Sequence, residues 1–204
     1  MDKGDRLLGV VPKLLEMLRD GSPPEQALYW LLVVLSQHSS CESSGIRWRA
    51  NGDYPYYVTR GFDQRHLVRE GSLHDRDAAG EILRHRDGTP RLACLCGAVM
   101  TQHTCPDLPC FTEGGSFWTN GLSKLLEERV LADADVALRG ECHREHYESV
   151  GLIPLRSEGK TYGLIQLTSR AKGRFATKHI ESYERLVGQV AAVAADRVAD
   201  AVTE

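Results

Sequence analysis

The apolar positions of the chain follow two different periods. Between residues 5 and 19, Leu7, Leu8, Val11, Leu14, Leu15 and Leu18 recur at spacings of three and four, which predicts an amphipathic helix. Pro12 weakens or kinks its first turn, and Asp20-Gly21 ends it. Ser22-Pro23-Pro24-Glu25 then has the pattern of a capping box with proline at the first helical position. The run that follows, Ala27 to Leu35, is apolar nearly all round, so this helix is expected to be buried or to lie in an oligomer interface. It falls far short of the ~20 residues of a membrane span.

Further on the period changes to two. Ile46-Arg47-Trp48-Arg49 alternates, Asn51-Gly52-Asp53 supplies turn chemistry, and Tyr56-Tyr57-Val58-Thr59 is strand-prone. The stretch from Gly71 to Pro90 is polar and predicts an extended loop, either a functional cover or a variable insertion. Ser116 to Thr119 is a short strand candidate, and Leu122 to Val136 a helix. The clearest hairpin joins Glu148–Leu155 to Thr161–Leu167 across Ser157-Glu158-Gly159-Lys160. Pro154 within it requires an edge or a site that donates no ladder bond. A last helix opens near Thr177. In it Ile180, Val187, Ala194 and Ala201 recur every seven residues, with Tyr183 and Val190 in the offset positions. That stripe suits either packing on the chain's own sheet or the seam of a dimer that carries a signal onward.

These elements make an α+β sandwich, with residues 1–24 an N-terminal helix and capping segment and residues 25–204 the domain proper. Tyr147-Glu148-Ser149-Val150-Gly151-Leu152-Ile153-Pro154-Leu155-Arg156, followed by Gly163-Leu164-Ile165-Gln166-Leu167, resembles the paired central strands of the GAF family of sensory domains. Arg174-Phe175 leading into Ile180 is similar to the usual exit into the final helix. Tyr54–Phe62 and Gly114–Asn120 resemble a subgroup attached to bacterial sensor histidine kinases. The resemblance covers roughly residues 25–200. It implies a GAF-like antiparallel sheet sandwiched by helices, with the N- and C-terminal helices forming a dimer bundle. It implies a sensor for a two-component system rather than an enzyme, working as a homodimer on a downstream kinase or regulator in cis or trans. It does not choose among the ligands of the fold, which include cyclic nucleotides, tetrapyrroles, metal clusters and amino acids. No kinase histidine box, ATP-binding region or helix-turn-helix follows, so the expectation is a stand-alone sensor or the sensory part of a longer protein.

Composition narrows this. The chain has 204 residues, enough for one sizeable domain, and 42% hydrophobic against 26% charged residues, enough to fold. With 25 Lys plus Arg against 28 Asp plus Glu, the charge of −3 excludes a strongly basic nucleic-acid binder. No secretory signal pattern follows Met1-Asp2-Lys3, so a cytoplasmic protein with no membrane partner is expected. In that compartment the six cysteines are not expected to form structural disulfides.

Their spacing then carries the candidate chemistry. Cys94-Leu95-Cys96-Gly97 is followed by Cys105 and Cys110, and Cys142 stands in Cys142-His143-Arg144-Glu145-His146. Thiols at i and i+2 can meet one metal if the backbone turns there, which Gly97 would allow. Soft thiolates favour zinc, copper(I) or an iron–sulfur cluster. The expected ligands are Cys94, Cys96, Cys105, Cys110 and Cys142, with Cys94, Cys96 and Cys142 also matching the subgroup's pattern. Other readings stay open: buried packing, which is the expectation for Cys41, reactive redox thiols, or a small-molecule site without metal. Cys96-Gly97-Ala98-Val99 is expected to open a short helix, where a thiol gains acidity. Free methionine sulfoxide reductases of the GAF fold use cysteines near this point, with different spacing. His103, His143 and His146 could add nitrogen ligands, although dispersed histidines are usually solvated. Tyr56, Phe117 and Trp118 are expected in the core or on a cavity wall, and Arg156 and Arg170 at strand ends. No phosphate loop, zinc-protease motif or nucleophile elbow is present, which disfavours a hydrolase or NTPase.

Overall fold

Alternating segments from both halves of the chain pair into one antiparallel sheet. The computed structural model describes residues 7–104, 107–131 and 138–203. Its strands are β1 (Ser43–Trp48), β2 (Tyr56–Arg60), β3 (Phe117–Thr119), β4 (Ser149–Ser157) and β5 (Lys160–Ser169), in the order β2-β1-β5-β4-β3. The β4–β5 hairpin closes on Ser157↔Lys160. Glu158 and Gly159 both take positive φ there (50° and 75°), the sense of turn that matches strand twist. Pro154 lies on β4 beyond the last β3 pair, Phe117↔Leu152, so its missing N–H costs β3 no ladder bond.

Among the described residues seven helices surround the sheet: α1 (Val11–Arg19), α2 (Pro24–Ser39), α3 (Gln64–Arg69), α4 (Cys94–Thr101), α5 (Leu122–Glu127), α6 (Glu141–Arg144) and α7 (Thr177–Thr203). One face of the sheet, through Ile46, Trp48, Ile153, Leu155, Ile165 and Leu167, is buried with the apolar stripes of α1, α2 and α7. The other face presents Val150, Leu152 and Leu164 to a second core that holds Leu95, Cys96 and Val99 of α4. Period-two alternation therefore sends neighbouring β4 residues into different cores.

Several boundaries differ from the sequence reading. Leu7 and Leu8 are already helical, Gly9-Val10 turns, and the helix restarts at Val11 with Pro12 in its first turn, a break close to where the sequence placed a kink. Ser22 is not a cap. Its N–H donates to Asp20 Oδ1, and α2 opens one residue later, with Pro23 at its N-cap and Gln26 N–H donating to Pro23 O. The helix expected to reach Val136 ends at Glu127 with Arg129 at φ 52°; residues 132–137 lie outside the described residues. The Gly71–Pro90 stretch is a folded flap of short antiparallel bridges. Asp77 and Asp87 Oδ1 each accept turn N–H groups, while Arg76 and Arg84 donate to Gly80 O and Gly88 O.

The heptad stripe has its explanation inside the chain. Ile180, Tyr183, Val187, Val190 and Ala194 are fully buried in the core shared with the sheet, α1 and α2, so they are not available as a dimer seam. Ala201 lies outside the residues whose side chains are described. Ile180→Ala is expected to cost ~2–5 kcal/mol of stability by leaving a cavity, with the oligomeric state unchanged. Denaturant unfolding and light scattering check this; a dissociated but equally stable variant would contradict it.

Candidate functional site

Two cysteines at i and i+2 on a regular helix point about 200° apart. In α4 they do not, because Cys94 opens the helix at φ 66°, in the left-handed region. A non-glycine residue there costs about 1–2 kcal/mol. This conformation places both Cys94 and Cys96 on the wall of one cavity, and Cys142 of α6 reaches the same wall. Leu122 of α5 and Val150 and Leu152 of β4 line it as well, with His143 beside Cys142. The cavity measures about 50 Å³, room for roughly three or four waters and far too small for a tetrapyrrole or nucleotide. Gly97 serves α4 in another way than expected. A Cβ on it would stand 2.7 Å from the backbone C and O of Leu92, so it is needed for close approach rather than for an unusual dihedral.

The thiols are less acidic than a helix N-terminus suggested. Burial pushes Cys94 up, opposed by hydrogen bonding from the Arg139 backbone. Burial pushes Cys96 up to about 12 against the pull of the Arg47 guanidinium. Cys142 is raised well above the ordinary range, first by burial and then by its neighbours Cys94 and Cys96. Desolvation outweighs the helix end, and all three are protonated thiols at neutral pH.

Behind the thiols, on the same face of the sheet, lies a polar layer that the sequence reading missed. Arg47 of β1 is fully buried, pairs with Glu70 at 3.5 Å, and stacks over the Tyr56 ring at 3.8 Å. Glu70 also lies 3.7 Å from Arg139, whose guanidinium holds Ser72 O and His74 O at the root of the flap. His66, also fully buried, meets Glu145 Oε1 at 2.9 Å through Nδ1 and the Tyr56 hydroxyl at 3.1 Å through Nε2. Tyr56 donates to Gln166 Oε1 at 2.8 Å, and Gln166 Nε2 donates to Cys142 Sγ at 3.7 Å. No sequence signal announced it: alternation with Ile46 and Trp48 reads Arg47 as outward-facing, and only the second core on that face buries it.

The remaining candidates are dispersed. Cys110 is buried, and it lines a separate groove with Trp118 and Lys124. Cys105 lies outside the described residues. Cys41 packs in the helical core, as expected. His103 and His146 are exposed. Phe117 is core, and Trp118 is half-buried against the helical core. Arg156 donates to Gly114 O, and Arg170 donates to Glu145 O while lying over the Tyr147 ring. Among the described residues, no three His, Cys, Asp or Glu side chains stand close enough to enclose a metal ion as they are. Nor is any helix among them long and apolar enough to cross a membrane.

The fold places the chain in a known structural class: it has the GAF fold. No protein-family model and no curated protein sequence matches it. Solved structures do. The GAF domain of a phosphoenolpyruvate-protein phosphotransferase from Coxiella burnetii is similar over 98% of this chain and 99% of its own, at 17% identity and TM-score 0.62. A free methionine-R-sulfoxide reductase from Neisseria meningitidis is similar over 97% and 90%, at 15% identity and TM-score 0.55. A domain of a two-component sensor histidine kinase from Sinorhizobium meliloti covers 88% and 97%, at 13% identity and TM-score 0.51. Sensory domains and enzymes thus share this architecture.

Because its thiol is raised by burial, Cys96 is expected to react with iodoacetamide at pH 7.5 at least ~10-fold more slowly in the folded than in the urea-unfolded protein. Ionisation of Cys96 also sets a stability window. Its folded pKa, about 12, exceeds the ordinary value of 9.0, so the unfolded chain releases the proton first. The contribution is complete below pH 9 and is lost as pH rises toward 12. Urea titrations of wild type and Cys96→Ala across that range check the sign, which is contradicted if wild type gains stability relative to the variant.

Proposed function

We propose that the chain is a sensory GAF domain whose input is a soft, thiol-seeking ligand taken by Cys94, Cys96 and Cys142, in its simplest form a zinc ion or an iron–sulfur centre. The observation that carries this reading is the convergence of the Cys94 and Cys96 thiols with that of Cys142, remote from them in sequence, on one small apolar cavity. The left-handed Cys94 supports it, since a strained non-glycine conformation at a site calls for a functional reason. The cavity size and soft donors favour an ion or small thiophile over a large organic ligand. Three cysteines supply a partial donor set, and an exogenous or inorganic ligand would complete it.

The sulfurs do not enclose an ion as they stand, so coordination requires α4 and α6 to draw together and three thiol protons to leave. That closure is the signal. Val150 and Leu152 of β4 face the cavity, while Ile153 and Leu155 of the same strand face the core of α7. The Glu184 carboxylate of α7 also accepts hydrogen bonds from Thr112 and Ser116 in the loop before β3. Movement at the cavity therefore biases α7, which hands the change to a kinase or regulator in cis or trans. A cytoplasmic homodimer remains part of this reading, formed through surfaces other than the buried heptad stripe. Protonated thiols favour a binding module over a thiol enzyme such as a sulfoxide reductase.

Cadmium, a soft probe ion, is expected to bind reduced protein with an ultraviolet thiolate-to-metal band that strengthens with pH. Cys94→Ala and Cys142→Ala are each expected to weaken binding at least ~10-fold. Undiminished binding in both variants would contradict the site. Turnover of free methionine sulfoxide that disappears in either variant would favour the enzyme instead.

A further inference from the structure

Two guanidiniums stand behind the thiols and share one carboxylate oxygen. Arg47 lies on β1 directly opposite Leu164 of β5, which belongs to the cavity-side core, so its side chain enters that core. It is fully buried, and its contact with Glu70 Oε2 is long, at 3.5 Å. Arg139 reaches the same oxygen at 3.7 Å. Among the described residues neither Glu70 Oε1 nor Arg47 Nε has a hydrogen-bond partner, so the pair is loosely made on both sides. The Tyr56 ring under Arg47 offers a quadrupole but no charge. The neighbouring acids are engaged elsewhere. Asp53 accepts from the Tyr54 and Leu73 N–H groups and lies beside His74, and Glu145 is taken up by His66.

The triad of Arg47, Glu70 and Arg139 therefore holds two positive charges against one negative. Such an excess is costly in an interior, and its cost falls when a negative group settles nearby. The groups within its field are the thiols. Arg47 acts on Cys96 and Cys142, Arg139 acts on Cys94 and Cys96, and Glu70 opposes them at all three. What would settle there is set by valence. A divalent soft ion takes an electron pair from each of three sulfurs while three thiol protons pass to solvent, and the complex carries one net negative charge. Arsenous acid instead loses each hydroxyl as water with one thiol proton, and three arsenic–sulfur bonds form in a neutral complex. The same three sulfurs thus make an anion with one ligand and an uncharged group with the other.

We propose that Arg47 is the counter-charge of the three-thiol site and makes it select divalent soft ions, whose complex is a monoanion, over ligands whose complex is neutral. This rests on the reading of the cavity as a thiophile site and narrows its ligand class to ions such as zinc. Arg47 acts through its field and not by coordination, because a guanidinium has no lone pair to give. Glu70 sets the strength of that field: it holds Arg47 in place and offsets part of its charge.

The experiment titrates the reduced full chain with cadmium and, separately, with arsenous acid at neutral pH, following the ultraviolet sulfur-to-ion band of each. Arg47→Met supplies an uncharged, unbranched side chain and leaves Glu70 to Arg139. It is expected to weaken cadmium binding at least ~10-fold and to change arsenic binding less than ~2-fold. Glu70→Gln removes the opposing charge and is expected to tighten cadmium binding ~3-fold or more, again with arsenic binding nearly unchanged. Retained arsenic binding shows that each variant still folds and presents its thiols. Cadmium and arsenic affinities that fall together in Arg47→Met overturn the proposal, since a merely structural arginine does that. Cadmium affinity that is unchanged in Arg47→Met, or lowered in Glu70→Gln, also overturns it and leaves the cavity reading standing. Wild type that takes up neither ion overturns the cavity reading and the proposal with it. If wild type takes up cadmium alone, opposite signs in the two variants support the proposal and equal signs overturn it.

Discussion

Strand β4 is buried on both faces, and the rest of the molecule is arranged around that constraint. Its alternation sends Ile153 and Leu155 to the helical core and Val150 and Leu152 to the core under α4. A strand in this position is mostly apolar on both sides, and its buried Ser149 is hydrogen-bonded to Asn120 and Ala171 O. The cavity is therefore separated from the long C-terminal helix by strand β4 and the side chains on its two faces, and close-packed interiors pass displacements rather than absorb them.

The two faces differ in how they are closed. The helical side is apolar, with exceptions such as the Ser36–Ser44 hydroxyl pair at 2.9 Å. The other side combines thiols, an apolar cavity and a buried layer of Arg47, Glu70, His66 and Gln166 bridged by the half-buried Tyr56. Buried ion pairs and polar chains add little net stability against a well-packed apolar layer. Their presence beside the left-handed Cys94 sets this face apart from the helical one and is the reason the proposed site is placed there.

Much of this was legible in the sequence, for local reasons. The hairpin at Glu158-Gly159, the strands around Asn51-Gly52, and the helical stripes follow from periods and turn chemistry that act within a few residues. The grouping of Cys94, Cys96 and Cys142 followed from family resemblance together with the return of the chain before β4. Three things were not legible. The heptad stripe could not say whether it faced a partner or its own sheet, because both need the same spacing. The acidity of the thiols depended on enclosure, which outweighs the helix end and is a property of tertiary packing. The His66–Tyr56–Gln166 line joins residues from α3, β2 and β5, and no sequence spacing announces such a meeting.

The central claim is that three thiols act as one site. A crystal structure of protein purified without oxygen, with anomalous difference density examined around α4 and α6, tests it most directly. The account predicts a peak within bonding distance of the sulfurs of Cys94, Cys96 and Cys142, near ~2.3 Å for a zinc or similar ion. A peak at Cys110, or a well-ordered cavity that holds only water around three separate thiols, would contradict it.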